Sequence, residues 1–123
     1  MITKAIVEVD IFSGRPNPVW TLSDVEAATL VEKLSALPPA PAKILSNPLG
    51  YRGLIVQMIQ GSQDYTIQIQ QGGVRVMHAG ASSYFEDRDR SLELWLVSTG
   101  KPWVSDEVFK LIEAELAPMT AHP

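Results

Sequence analysis

LIVQMIQGSQDYTIQIQQGGVRVMH, residues Leu54–His78, decides the fold. Three apolar-rich runs, 54–60, 65–70 and 74–78, are separated by GSQD and QGG. Tyr65, Ile67 and Ile69 fall on one face of the second run, and Val74, Val76 and His78 on one face of the third. A period of two with short glycine-bearing connections specifies hairpins, so this region reads as an antiparallel meander.

On the N-terminal side, KAIVEVDIF (4–12) alternates in the same way. Ala5, Val7, Val9 and Ile11 share one face while Lys4, Glu8 and Asp10 share the other, the pattern of a half-buried strand. Ser23 and Glu26 then form a capping box, in which a serine oxygen takes a free helix amide and the glutamate reaches back. Ala27, Leu30, Val31, Leu34 and Leu37 continue at helical spacing until Pro38 and Pro39 stop the helix.

Past the meander, Ser83 and Glu86 have the spacing of another capping box. Leu92–Val97 is apolar almost all round, as in a helix covered on most sides, and Gly100 stands where its C-terminus is expected. SDEVFKLIEAEL (105–116) has Ser105 as N-cap and Val108, Leu111, Ile112 and Leu116 as its buried stripe, and 117–123 reads as a frayed tail. The expected order is β-α-β-β-β-α-α: a single two-layer α+β domain over residues 1–123, with a four-stranded, mainly antiparallel sheet and three helices on one face.

Composition narrows the function. A chain of 123 residues, 46% hydrophobic, buries enough surface for a core without staples. It has no cysteine, which excludes disulfides, thiolate zinc sites and cysteine nucleophiles and suits a cytoplasmic setting. The charged N-terminus is unlike a signal peptide, and no apolar run approaches the ~20 residues of a membrane span. A net charge of −4 without a lysine or arginine cluster argues against nucleic acid and acidic membrane as partners.

No sequence motif demands a cofactor or metal. Gly72-Gly73 is a turn signal, and Gly80-Ala81-Ser82-Ser83 lacks the second glycine of a nucleophile elbow. Asp87–Glu93 carries alternating acids like a calcium loop, but Leu92 occupies the place of the required glycine. It reads instead as a charged first helical turn, with Glu86 and Arg90 spaced to pair. His78, the one histidine outside the tail, is the candidate acid–base of an enzyme reading, with Arg15 or Arg52 as its electrostatic clamp.

Two loops carry the binding candidates. Ser13-Gly14-Arg15-Pro16-Asn17-Pro18 ends near Trp20, and Ser46-Asn47-Pro48-Leu49-Gly50-Tyr51-Arg52-Gly53 repeats the combination of an Asn-Pro turn, an arginine, an aromatic and glycine. Asn-Pro pairs stiffen turns, and a guanidinium held on stiff backbone forks onto carboxylate or phosphate with little entropy left to lose. If the strand after the second loop runs antiparallel to the first strand, Arg15, Asn17, Tyr51 and Arg52 converge, with Trp20 or Tyr51 as an apolar floor for the ligand. If it runs parallel, Arg52 goes to the opposite end of the sheet and His78 joins Arg15.

The expected function is thus a non-catalytic binding module for an acidic small molecule or peptide carboxylate. A second possibility is a homodimeric interaction domain. It would use the sheet face opposite the helices, where Ile6, Ile55, Gln57, Ile59, Gln68 and Met77 are expected.

Overall fold

The computed structural model describes residues 4–12, 14–42 and 52–120. Among them lie β1 (Lys4–Val9), β2 (Val19–Thr21), α1 (Asp24–Ser35), β3 (Leu54–Gln60), β4 (Gln63–Gln70), β5 (Gly73–His78), β6 (Ala81–Glu86), α2 (Ser91–Thr99) and α3 (Asp106–Thr120), with a 3-10 turn at Arg88–Arg90. The strands form one antiparallel sheet in the order β2-β1-β3-β4-β5-β6. The α+β class and the meander match the sequence reading, but the sheet has six strands rather than four.

Both additional strands have local causes. Three residues, Val19–Thr21, are too short to show a period, yet Trp20 pairs with Val7 and is buried. The Ser83–Glu86 segment is strand, not a helix start. Ala79 and Gly80 both have positive φ (51° and 81°), which makes the tight two-residue turn that folds β6 back on β5. As an edge strand with Ser82 and Ser83 exposed, β6 carries no apolar alternation. Its outer edge is partly covered by the chain leaving α1, where Glu86 N–H donates to Pro38 and Ala40 N–H to Tyr84. α1 does begin with the expected capping box, Ser23 and Glu26 exchanging hydrogen bonds. α3 runs to Thr120, into the stretch expected to fray.

Alternation sets the two layers. Val7, Val9, Leu54, Val56, Ile67, Ile69 and Val74 share a core with Leu30 of α1, Leu92 and Leu96 of α2 and Ile112 of α3. The alternate residues, among them Ile6, Gln57, Thr66 and Met77, lie on the other face, half-buried or exposed. No described helix is long and apolar enough to cross a membrane.

Candidate functional site

Antiparallel pairing of β1 with β3 brings Arg52 to the corner of the sheet where Arg15 lies, both meeting Phe12. Arg52 N–H donates to the Asp10 carbonyl and Asp10 N–H to Gly53. Gly53 has φ +102°, and a side chain there would run into the Ile69 carbonyl, so glycine is required at that crossing.

Within the corner the expected ligand-binding residues have different roles. Asn17 is a clasp: its Oδ1 accepts from Ile11 N–H (3.1 Å) and Phe12 N–H (2.8 Å), while Nδ2 donates to Glu8 Oε2 (2.8 Å). Its side chain thus replaces the partner that the chain lacks on its β2 side beyond the Val9–Pro18 bond, keeping Ile11 in the core. Arg52 is a brace. Nε and Nη2 both donate to Asp10 Oδ1 (3.1 and 2.9 Å), and Nη2 also to the Phe12 carbonyl (2.9 Å). Trp20 belongs to the core rather than to a ligand floor. Its indole N–H donates to Thr99 Oγ1 (2.9 Å) and its ring lies against Gly100. Tyr51 lies outside the described residues.

Arg15 differs from these. Its residue is exposed, and its guanidinium carbon sits 3.8 Å from the centroid of the Phe12 ring, a cation–π stack. Among the described residues it has no acidic partner. Stacking fixes one face of the guanidinium plane and leaves its N–H edges directed elsewhere, the arrangement that suits a fork onto an oxyanion.

A second polar cluster stands at the same end of the sheet, beyond β6, and sequence reasoning missed it. Asp87 is 1% exposed; its carboxylate accepts from Leu92 N–H (2.8 Å) and Glu93 N–H (3.0 Å), capping α2 from the end of the strand. Arg90 forms a two-pronged ion pair with Glu93 (2.7 and 2.8 Å), both side chains being almost wholly buried. Arg90 therefore pairs forward to Glu93 and not back to Glu86, which instead lies 3.8 Å from Arg88. The signal was the helix itself: charged residues at the start of a segment apolar all round have no solvated face to occupy.

Asp89 and Arg90 both adopt left-handed backbone (φ 57° and 55°), strain that persists only where the surroundings enforce it. The turn forms one wall of a hollow of about 680 Å³, lined also by Pro41, Gly72, Val74, Tyr84 and Phe85.

His78 lies elsewhere. Its register places it level with Ala5, five residues along β1 from Asp10, or about 17 Å at strand rise. There it stacks on Tyr65 (centroids 4.2 Å) with Nδ1 3.0 Å from the Asp64 carbonyl. The Arg15–Arg52 corner and His78 thus occupy opposite ends of the sheet. Among the described residues no cluster of three or more histidines and carboxylates is arranged to hold a metal.

The face opposite the helices bears the residues expected at an interface. Ile6, Ile55, Gln68 and Met77 are half-buried, and Gln57 and Ile59 are exposed. Cross-strand pairing interrupts the apolar positions: Gln57 lies beside Ile6 and hydrogen-bonds Thr66 (2.8 Å).

Comparison with protein-family models, with characterised proteins and with solved structures returned no match.

Proposed function

We propose that this chain is a non-catalytic binding module that takes a small acidic molecule or a peptide carboxylate on Arg15. The observation that carries the proposal is the unspent guanidinium of Arg15, stacked on Phe12 at a corner whose other polar groups bind one another. Asn17 and Arg52 support it by holding the loop, so little conformational entropy remains to be lost when an oxyanion docks. An ion pair on a solvent-exposed arginine is worth about 0.2–1 kcal/mol, a weak anchor that other contacts must complete.

Backbone amide shifts during titration with N-acetylglycine and with citrate test this. Shifts confined to residues around 14–17, absent from a folded Arg15→Ala protein, are the expected result. The same shifts persisting in Arg15→Ala would refute the proposal.

The hollow beside β6 supports a second reading. Its volume lies within the range of small-ligand sites, and the strained Asp89-Arg90 backbone forms its wall. Tyr84, Phe85 and Val74 suit an uncharged, partly apolar molecule, whose binding would shift residues 72–74 and 84–88 and leave 14–17 unmoved.

A further inference from the structure

The sheet face opposite the helices carries, at matched positions, an acid and a base that have no ion-pair partner among the described residues, although Arg75 also lies over the Tyr84 ring (5.9 Å). Register sets Glu8, Ile55, Gln68 and Arg75 in one row across β1, β3, β4 and β5, and Ile6, Gln57, Thr66 and Met77 in the next. Glu8 and Arg75 are thus equally far from the line between β3 and β4, on opposite sides of it. Ile6 and Met77 are related in the same way, as are Thr21 on β2 and Ser82 on β6. Neither Glu8 nor Arg75 has an ion-pair partner among the described residues. Glu8 uses one oxygen on Asn17, and Arg75 uses Nε on Ser82 Oγ (3.2 Å).

We propose that this face docks a second copy of the chain, about a two-fold axis parallel to the strands and midway between β3 and β4. Rotation about that axis exchanges the two sides of each row and preserves its height. Glu8 of each copy then lies over Arg75 of the other, Ile6 over Met77, and Thr21 over Ser82. Charge meets opposite charge twice, and apolar meets apolar twice, as an isologous interface requires. An axis across the strands through the Ile6 row would set Glu8 over Lys4, but it leaves Arg75 opposite Ala79 and so matches only one of the two sides. The two sheets would pack in the aligned manner, about 10 Å apart.

Size sets the strength. Five strands about 20 Å long and the three-residue β2, about 10 Å, all about 4.8 Å apart, present roughly 500 Å² per copy, or about 1,000 Å² in total, the lower limit for a specific interface. An interface at that limit belongs to the weak, reversible class, so association is sought up to high micromolar concentration. This surface meets the Arg15 corner at the Glu8–Asn17 hydrogen bond, but Arg75 lies on β5 away from that corner, so its replacement tests the dimer without touching Arg15.

Sedimentation velocity from about 5 to 500 μM should show the wild-type chain passing from monomer to dimer. Arg75→Glu, which sets like charges opposite each other, should weaken association at least about tenfold. Because the chain has no cysteine, single thiols can be placed cleanly. Thr21→Cys mixed with Ser82→Cys should be joined by a bis-maleimide spanning about 10 Å, the inter-sheet distance. Neither variant alone should be joined, since like positions are about 26 Å apart across five strand spacings. A wild-type chain still monomeric at the top concentration overturns the proposal. So does a dimer that tolerates Arg75→Glu, or one in which Thr21 and Ser82 do not link. If Arg75→Glu fails to fold, the linking pattern decides.

Discussion

Replacing Asp87 by alanine tests the buried cap that joins the sheet to α2. The carboxylate is the acceptor for Leu92 N–H and Glu93 N–H, and Asp87 N–H itself donates to Gly72. Alanine retains the backbone bond but strands two buried donors, each costing about 1–3 kcal/mol. Relief of the carboxylate's own desolvation offsets part of this, leaving a net loss of about 3 kcal/mol. For a chain of this length that lowers Tm by roughly 12 °C. Asp87→Asn should lose roughly 2 kcal/mol, since one oxygen still accepts while the amide group presents a donor to the second N–H. Urea unfolding followed by tryptophan fluorescence measures both, with an unchanged m value showing that the unfolded state is not the cause. If Asp87→Ala stays within about 0.5 kcal/mol of wild type, the range of an ordinary surface change, the cap is not the support described.

Asn17→Ala should cost about 2 kcal/mol, because two backbone donors lose their acceptor, and faster amide exchange at Ile11 and Phe12 should report it. Unchanged protection there would contradict the clasp. Gly100→Ala should destabilise by about 1–3 kcal/mol, since its new carbon would sit 2.5 Å from the Trp20 ring; a neutral result in thermal melting would show that the indole can yield.

How much of this was legible in the sequence depended on the range of the signal. Leu54–His78 could be read because alternation and glycine turns are local. So could the α1 capping box, which spans four residues. The Ser83–Glu86 pair has the same spacing and belongs to a strand, because the positive-φ turn at Ala79-Gly80 and the pairing with β5 outweigh a local cap. That Arg52 reaches the Arg15 corner followed from the antiparallel arrangement, but not the partners of each guanidinium. Asp10 lies 42 residues from Arg52, and only the register of β1 against β3 sets them together. Asn17, expected to face a ligand, closes its own loop, since nothing in the sequence states how β1 ends. Arg90 was read as part of a charged helical turn, spaced to pair with Glu86; its burial with Glu93 follows from the packing around the start of α2.

The division of labour between the two arginines is the centre of the account, and one series of spectra reads it. In ¹⁵N spectra of the side chains, Arg52 Nε–H, bonded to Asp10, should give a protected signal that does not move as N-acetylglycine is added. Arg15 Nε–H, exposed and unpaired among the described residues, should exchange quickly in the free protein and shift progressively with the carboxylate. A moving Arg52 signal beside a static Arg15 signal would contradict that assignment of roles.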